Sequence, residues 1–387
     1  MSKKVVVVVS HLKQGGGITE IVLRFYSRLV RKYNYQVQII AETKLPGVVI
    51  PEIPEGIDLV FSPSIKHFRQ YVCFWKKVEK TTDENVFIHF HTDSLTKFIP
   101  YVILRHRRNV VVHSHNSMNL RVTGNIIKRI AHKFGKKLIN NYGFFRFACS
   151  DTAAKWLFDN ESYYQINNGI PLASFSFDPN KRSVIRKKYN LQDACVYGHI
   201  GRFEYPKNQL RLVRIFNEIS KEQDNARLML IGNGKDEMRI KRLVSELGIE
   251  NKVYFTGFVA NVDELLNAID VIIFPSVYEG LPISLIEAQA NGIPVYYSDA
   301  ITNEVQILPT SHSFSLTSSD SDIANFVLGE QQRDQVSRSN AQSLVEKAGY
   351  DVWSVVDDLA RFYSHATKNK AKFSSGIGVY EVDTKHK

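Results

Sequence analysis

The sequence predicts an α/β protein made of two doubly wound parallel sheets, each in a domain of its own. Three observations lead to this prediction. The 387 residues exceed what one ordinary core holds, strand-like apolar runs alternate with amphipathic helical segments, and the alternation restarts near the middle of the chain. Such alternation is typical of parallel sheets covered by helices, whose ligands bind at the carboxyl ends of the strands.

The first half begins with the strand "KKVVVVVS", the loop "HLKQGGG" and the helical segment "ITEIVLRFYSRLVRKY". Four further short apolar runs indicate buried strands: "YQVQIIAE", "VFIHFHT", "NVVVHSHN" and "FRFACS". Each ends in polar loop residues. We assign residues 1–185 to this domain.

The strand–helix pattern restarts at "ACVYGHIGRF" and continues through "ARLMLIGNG", "KVYFTGF", "DVIIFPS" and "PVYYSD". We expect a second domain at 186–350, with the boundary in the polar run "DPNKRSVIRKKYNLQD". An amphipathic helix is predicted at 351–367. The polar segment 368–387 is expected to form a loose tail.

Composition is that of a soluble globular protein. No apolar run approaches the roughly 20 residues of a membrane span, and the five valines near the start are too few for a signal peptide. The three cysteines lie far apart without metal-ligand spacing, which is typical of reduced thiols. We therefore expect a cytoplasmic protein.

The positive charge is concentrated in the first half. Residues 1–190 carry the basic excess, whereas residues 191–387 hold more acidic than basic side chains. The first domain is therefore expected to meet an anionic partner such as a membrane surface or a phosphorylated substrate, unless the charges form only a solvated face. Basic residues are not interleaved with aromatic ones, which argues against a nucleic-acid groove.

Several nucleotide-binding and hydrolytic classes are disfavoured. "IGNGKDE" lacks the third glycine of the dinucleotide fingerprint, and the sequence contains neither a Walker A motif nor a nucleophile elbow. The acid pair in "LTSSDSD" resembles a metal motif, but its polar surroundings favour a helix cap.

Two loops could hold phosphate. Gly15, Gly16 and Gly17 follow the first strand and precede the first helix, where backbone N–H groups approach an anion without obstruction; the alternative is a tight turn. Arg202 and Lys207 share the loop after the first strand of the second domain. Two cations there suit a diphosphate, and surface charge is the alternative.

The segment "YEGLPISLIEAQANG" places two acids around a helix N-terminus. Pro282 is predicted at the first helical position and Gly292 just after the helix. Glu279 then lies in the preceding loop, and Glu287 lies inside the helix beside core positions. A buried carboxylate is costly without hydrogen-bond donors; vicinal hydroxyls of a ligand would supply them. The alternative is one helix-dipole and one surface glutamate.

Histidines end two strands of the first domain: His89 and His91 in "FIHFHT", and His113 and His115 in "VVVHSHN". Alternate residues of a strand share a face. Three interpretations stay open: residues of the interdomain cleft, hydrogen-bonded core histidines, or metal ligands. We favour the cleft and predict no metal.

These motifs together resemble the retaining GT-B nucleotide-sugar glycosyltransferases of the family-four type (glycosyl transferases group 1), over residues 3–365. "EGLPISLIE" matches the Glu-x7-Glu signature. It is accompanied by "GR…K", by the Gly-Gly loop after the first strand, and by "YFTGFVANVDELLNAIDVIIFPS". "VVHSHNS", "FACSDTAAKWLF", "YYQINNGI" and "SDAITNEV" are similar to bacterial enzymes of capsule and exopolysaccharide synthesis.

The resemblance implies a GT-B fold, with two Rossmann-like domains facing each other across a cleft and the C-terminal helix crossing back to the first domain. It implies that Arg202 and Lys207 neutralise the donor diphosphate, aided by the amides of Gly280–Leu281. Glu279 would bind the donor sugar and Glu287 the ribose. No cofactor or metal is expected, because these groups supply the positive field for the leaving phosphate.

Further roles follow from the same resemblance. Gly16 and Gly17 would close over the diphosphate, main-chain groups near Val259 would read the base, and His115 would lie beside the reacting centre. The residues expected to contact the acceptor are His91 and Asn116. "AITNEV" departs from the family's Gly-Gly-containing loop, which leaves the role of Glu304 open.

The expected activity is transfer of a hexosyl or N-acetylhexosaminyl group from a nucleotide sugar, UDP-linked, to a glycan or lipid-linked acceptor. Alternatives are a nucleotide-sugar epimerase on the same fold and a non-enzymatic glycan-binding protein. The segment "NIIKRIAHKFGKKLIN" predicts a basic amphipathic helix. It either lies on anionic lipid at the inner face of the membrane or packs its apolar side on the core.

Overall fold

A computed structural model describes residues 3–42, 48–159, 161–332 and 338–368. They form two parallel sheets with flanking helices, which confirms the predicted α/β class. The predicted tail, except Lys368, lies outside the described residues.

The first sheet has seven strands in the order β3-β2-β1-β4-β5-β6-β7. The strands are β1 (Lys4–Val9), β2 (Gln36–Glu42), β3 (Ile57–Ser62), β4 (Phe87–Thr92), β5 (Val110–Ser114), β6 (Phe145–Ala148) and β7 (Tyr164–Gln165). The helices are α1 (Gly17–Tyr33), α2 (Phe68–Thr81), α3 (Ile99–Ile103), α4 (Leu120–Thr123), α5 (Ile126–Asn141) and α6 (Asp151–Phe158).

The second sheet has six strands in the order β10-β9-β8-β11-β12-β13. The strands are β8 (Cys195–Ile200), β9 (Ala226–Ile231), β10 (Val253–Gly257), β11 (Val271–Phe274), β12 (Val295–Ser298) and β13 (Ser311–Phe314). The helices are α7 (Pro179–Lys188), α8 (Gln209–Glu222), α9 (Glu237–Glu246), α10 (Val262–Leu266), α11 (Ile283–Ala290), α12 (Asp320–Gln331), α13 (Ala341–Lys347) and α14 (Val352–Lys368).

Each sheet reverses its strand order once. In the first sheet β1 lies between β2 and β4, and in the second β8 lies between β9 and β11. In an open parallel sheet the crevice outside such a reversal is where ligands bind. The Gly loop follows β1, His91 lies on β4, Arg202 follows β8 and Glu279 follows β11. Several predicted site residues therefore come from the four strands at the two reversals, whereas His115 and Asn116 follow β5 and Val259 follows β10.

The last helix belongs to the first sheet's core. Val355, Leu359 and Tyr363 of α14 pack in the same buried cluster as alternate valines of β1, namely Val5, Val7 and Val9. Lys32 Nζ of α1 lies 2.6 Å from Asp357 Oδ1. The C-terminal helix therefore crosses back to the first domain, as the resemblance implied.

The predicted linker run contains a helix. The expected division between residues 185 and 186 falls inside α7. Arg182 and Arg186 of this helix pair with Asp270 at 2.6 and 3.0 Å, so α7 packs on the second sheet's unit. Among the described residues, no helix combines the length and apolar character needed to cross a bilayer.

Candidate active site

Loops from the carboxyl ends of both sheets meet across one cleft. A Cβ on Gly15, after β1, would lie 3.0 Å from Cε2 of Phe258, after β10. Ser117 Oγ, after β5, donates a hydrogen bond to the carbonyl of Glu279 at 2.5 Å. The structure thus brings together the glycine loop after β1, the loop after β5 and the loop that carries Glu279, which are distant in sequence.

Lys207 and Glu279 form an ion pair in this cleft. Lys207 Nζ lies 2.7 Å from Glu279 Oε1, and less than a fifth of either side chain is exposed. The ammonium also lies 4.5 Å from the centre of the Phe274 ring at the end of β11. The sequence predicted separate roles for these two groups; in the structure each is the other's partner.

Arg202 lies apart from this ion pair. Its Nη1 bonds to Glu204 Oε1 at 3.1 Å, and about half of the side chain is exposed. Its carbonyl accepts a hydrogen bond from Gln209 Nε2 at 2.9 Å, which fixes the backbone at the start of α8. The guanidinium is therefore held by a weak, solvated contact that an anionic ligand can replace.

The Gly280–Leu281 segment is bound through its carbonyl oxygens. Ser150 Oγ donates to Gly280 O at 3.1 Å and Asn168 Nδ2 donates to Leu281 O at 3.4 Å. A Cβ on Gly280 would lie 2.4 Å from the carbonyl oxygen of His115. Only glycine permits this approach of the two domains.

Helix α11 begins one residue later than expected. Pro282 is the N-cap, with ψ of 107°, rather than the first helical residue. Its extended backbone turns the chain into the helix, so Gly280 and Leu281 still lie at the positive end of the helix dipole. Gly292 follows the C-cap with φ of 77°, as predicted.

Glu287 is buried and paired with the other domain. Arg24 Nη2 of α1 lies 3.2 Å from Glu287 Oε1. Burial raises the pKa of the Glu287 carboxyl above its usual value, and Arg24 opposes that shift. Glu287, the residue predicted to bind the ribose, is therefore already paired with Arg24, which the sequence did not indicate as a partner.

The predicted glycine and base positions lie near the same cleft. Gly16 caps α1, and its amide donates to the Lys13 carbonyl at 3.1 Å. Gly17 begins the helix, and a Cβ there would meet no atom within 4 Å. Val259 is half-buried in the loop after β10, next to the Phe258 ring that touches Gly15.

The four histidines are buried and stacked. His91 Nδ1 lies 2.8 Å from His115 Nε2, and the His113 and His115 rings stack at 4.1 Å. Burial lowers the pKa of His115 to about 3 and those of the other three well below the usual value. All four are neutral near pH 7.

Three of these histidines come close enough to be considered for a metal. Nitrogen atoms of His89, His91 and His113 lie within 4.8 Å of one another. The His89 ring stacks on His91 at 4.3 Å and on His113 at 5.4 Å, with planes within 25°. Zinc needs ligands arranged tetrahedrally around one point, whereas stacked rings direct their lone pairs side by side. This geometry fits hydrogen-bonded histidines.

A cavity of about 300 Å³ opens at the ends of β1 and β4. Its lining includes the aromatic side chains of Trp75 and Phe90, and also His91. Lys97 pairs with the carboxylate of Glu42 at its edge. A cavity lined by both aromatic and polar side chains suits a sugar ring.

Asn116 and Glu304 complete the predicted set. Asn116 is half-buried, with its Cα 2.9 Å from the position of a Cβ on Gly280. Glu304 accepts hydrogen bonds from the Asp151 amide at 2.8 Å and from Gln165 Nε2 at 3.1 Å. Glu304 therefore joins the two domains.

Sequence reasoning gave no role to Arg24, Ser117, Ser150 and Asn168, which all contact the other domain. Ser117, Ser150 and Asn168 lie in segments that carry the family resemblance. Arg24 is on the polar side of an amphipathic helix, where solvent exposure is the ordinary expectation. Only the packing of the two domains brings it to Glu287.

The fold matches solved structures over almost the whole chain. The crystal structure of Anabaena Alr3699/HepE in complex with UDP and glucose superposes with a TM-score of 0.75 at 16% identity, covering 94% of this chain and 100% of the other. WaaG, described as a glycosyltransferase involved in lipopolysaccharide biosynthesis, gives 0.73 at 16% identity, covering 93% and 100%. The architecture is the GT-B fold.

Sequence comparison finds similarity to glycosyltransferases. Residues 181–349 match the model for glycosyl transferases group 1. The putative glycosyltransferase EpsF of Bacillus subtilis (strain 168) is 28% identical over 380 residues, 95% of this chain and 97% of that protein. The UDP-Gal:alpha-D-GlcNAc-diphosphoundecaprenol alpha-1,3-galactosyltransferase of Escherichia coli is 23% identical over 211 residues, 53% and 54% of the two chains. Residues 181–349 therefore match the glycosyl transferases group 1 family, and almost the whole chain is similar to a protein described as a putative glycosyltransferase.

Proposed function

We propose that this protein is a retaining, metal-independent glycosyltransferase that moves a hexosyl or N-acetylhexosaminyl group from a UDP-sugar to a glycan or lipid-linked acceptor. We place it in bacterial capsule or exopolysaccharide synthesis, at the inner face of the cell membrane. The observation that carries the proposal is the Lys207–Glu279 ion pair at 2.7 Å, formed where the strand order of the second sheet reverses.

Donor binding would separate this pair. A nucleoside diphosphate offers Lys207 a stronger partner than a single carboxylate, because it carries more negative charge and more acceptor oxygens. Glu279, released from Lys207, would then accept hydrogen bonds from hydroxyls of the sugar. Arg202 would leave Glu204 and join the diphosphate, aided by the N-terminus of α11.

The rest of the donor would extend toward α1. Glu287 would bind the ribose, Gly16 and Gly17 would close over the diphosphate, and the chain near Val259 would contact the base. The names of two similar proteins support a UDP-linked donor, since one is a UDP-Gal-dependent transferase and the other was crystallised with UDP and glucose.

The chemistry required is departure of the nucleoside diphosphate. Positive groups fixed beside the leaving phosphate stabilise the charge that develops there, and such stabilisation is worth about 3–4 kcal/mol for a single donor. Among the described contacts, the first-domain groups against Gly280 belong to His115, Asn116, Ser150 and Thr152, and none of them is a carboxylate. This favours attack on the departing face, with the phosphate taking the acceptor proton. A trapped covalent glycosyl-enzyme would contradict it.

The acceptor would enter from the first domain. The cavity at the ends of β1 and β4 has His91 in its wall and Lys128 of α5 at its edge. The Escherichia coli relative is named for a diphosphoundecaprenol acceptor, a lipid with an anionic headgroup. We therefore propose that the sugar of a lipid-linked acceptor occupies this cavity and that its phosphates lie near Lys128.

Helix α5 supports a position at the membrane. Three of its apolar side chains are well over half exposed, and they are Ile126, Ile127 and Ile130. Phe134 is about half exposed and packs one side of its ring on Phe98. The core contacts of the helix are instead His132, Gly135 and Ile139. Exposed lysines and arginines share the helix: Lys128, Arg129, Lys133 and Lys137. This combination suits an anionic lipid surface.

A panel of UDP-, GDP- and ADP-sugars tests the proposal. We expect a UDP-sugar to raise the melting temperature and to be hydrolysed slowly, with transfer accelerated by a lipid-linked acceptor. Isomerisation of the donor without transfer would indicate an epimerase. Binding of glycan without turnover of any donor would indicate a non-enzymatic protein.

A further inference from the structure

A line of hydrogen bonds runs through the buried core of the first domain to the cleft. Tyr26 Oη of α1 lies 3.0 Å from His91 Nε2 on β4. His91 Nδ1 lies 2.8 Å from Nε2 of His115, just after β5. None of the three is more than 8% exposed, so water does not compete for these bonds.

Because these histidines are neutral, each has one N–H donor and one acceptor nitrogen. The direction of one hydrogen bond therefore fixes the direction of the next. Which nitrogen of His115 carries the proton depends on Tyr26, two residues away in the chain of bonds.

The direction can be derived from the tyrosine end. Tyr363 Oη lies 2.5 Å from His89 Nδ1, the shortest contact of the group. We assign the Tyr363 hydroxyl as the donor to His89 Nδ1, so the lone pair of that nitrogen is occupied. Tyr26 Oη lies 3.0 Å from the same nitrogen and 3.1 Å from Tyr363 Oη. The acceptors left for its own hydrogen are Tyr363 Oη and His91 Nε2, and we assign it to His91 Nε2, which is the shorter contact at 3.0 Å. His91 then carries its proton on Nδ1 and donates it to His115 Nε2.

The cleft end agrees with this direction. Asn168 donates its Nδ2 to the carbonyl of Leu281 at 3.4 Å, which turns its oxygen away from that loop. Asn168 Oδ1 and His115 Nδ1 are both buried, and neither makes a hydrogen bond of good geometry with any other group. Burial lowers the pKa of His115, and hydrogen bonding to the Asn168 side chain opposes that shift. A proton on Nδ1 suits a neighbouring carboxamide oxygen, whereas a lone pair there would repel it.

We propose that Tyr26 is a positioning residue that, through His91, holds His115 in the Nδ1-protonated tautomer beside the Gly280–Leu281 loop. The proposal rests on the proposed function, in which His115 lies at the reacting centre. A substrate hydroxyl entering there would accept a hydrogen bond from His115 Nδ1 and donate one to Asn168 Oδ1. His115 and Asn168 would thus bind one hydroxyl group both as an acceptor and as a donor of hydrogen bonds.

Tyr26→Phe tests the role in turnover, and Tyr35→Phe is the matched control. Tyr35 is buried in the same apolar cluster but takes no part in the line to His115. We expect Tyr26→Phe to lower kcat for sugar release about 10-fold with the KM for the donor changed less than about twofold, and Tyr35→Phe to leave both constants near wild type. Equal losses in the two variants, or no loss in Tyr26→Phe, would overturn the positioning role.

Nitrogen-15 NMR of the histidine rings tests the tautomer without depending on activity. We expect His115 in the wild-type protein to be protonated on Nδ1 and to become a mixture of tautomers in Tyr26→Phe. An Nε2-protonated His115 in the wild type, or an unchanged spectrum in the variant, would overturn the proposal. If the wild type turned over no donor, the proposed function would fail, and the NMR result would still decide the tautomer.

Discussion

Arg24 Nη2 of the first domain lies 3.2 Å from Glu287 Oε1 of the second, and less than a fifth of either side chain is exposed. Arg24 Nη1 also reaches the carbonyl of Gly169 at 3.5 Å, in the segment that connects the domains. Arg24 therefore contacts both the segment that connects the domains and Glu287, the residue proposed to bind the ribose. This double contact links donor binding to the relative position of the two domains.

Arg24→Gln should destabilise the protein. Removing one partner of a buried pair leaves the other charge uncompensated, at a cost of about 2 kcal/mol for a pair that keeps some solvent access. Glu287→Gln added to this variant should restore part of the loss, because the buried charge is then gone. Chemical denaturation measures both, and Lys32→Gln, which breaks the exposed pair with Asp357, should change little. An unaltered Arg24→Gln variant would contradict the coupling.

The pH dependence of the same variant has a defined sign. Burial raises the pKa of Glu287 in the folded state, so the stability linked to this carboxyl is full below its unfolded pKa and is lost as pH rises through the folded pKa. Removing Arg24 raises that pKa further and extends the loss to higher pH. The stability deficit of Arg24→Gln should therefore be larger at about pH 7.5 than at about pH 5. A deficit that grows on acidification would show that another group dominates.

Gly280→Ala should impair closure of the cleft. The new Cβ would lie 2.4 Å from the His115 carbonyl, so the domains must move apart, and we expect kcat to fall at least about 10-fold. Gly329→Ala is the control, since a Cβ there meets nothing within 4 Å and alanine favours the α12 helix by about 0.5–1 kcal/mol. Steady-state kinetics and melting temperatures of the two variants decide the matter. Full activity in Gly280→Ala would contradict the close approach.

Binding to anionic vesicles should depend on the exposed apolar side chains of α5. Each apolar side chain that becomes buried in the lipid contributes about 1.5–3 kcal/mol to binding. The double variant Ile127→Glu, Ile130→Glu should therefore reduce flotation with phosphatidylglycerol vesicles at least about 10-fold. Val184→Glu is the control, because Val184 is equally exposed on α7. Phosphatidylcholine vesicles should bind the wild type weakly. Equal binding by all three proteins would remove the membrane proposal.

The sequence was sufficient for the fold because its signals are local. The valine run of β1 and the amphipathic pattern of α1 predict those elements directly. Glu279, Lys207 and Gly280 lie in short motifs that can be recognised without knowing how the chain packs. Helix α7 was not predicted, because the many polar and basic residues of Pro179–Lys188 are also typical of a linker.

The contacts between domains could not be read from the sequence. Arg24 and Glu287 are 263 residues apart, and neither neighbourhood indicates the other. The same holds for Tyr26 and His115, whose link through His91 depends on the register of β4 beside β5, in which His91 lies opposite His113. Local periodicity predicts which face a residue occupies, but the partner on that face is set by how the sheet and helices pack.

The central claim is that Lys207 binds the diphosphate of the donor and Glu279 binds its sugar. The most direct test measures the affinity for UDP and the rate of sugar release in the wild type, in Lys207→Ala and in Glu279→Gln. Lys207 is assigned to the diphosphate and Glu279 to the sugar, so the two variants should separate these measurements. We expect Lys207→Ala to lose UDP affinity at least about 100-fold together with turnover, and Glu279→Gln to keep UDP affinity while turnover falls. Wild-type UDP affinity in Lys207→Ala, or wild-type turnover in Glu279→Gln, would contradict the account.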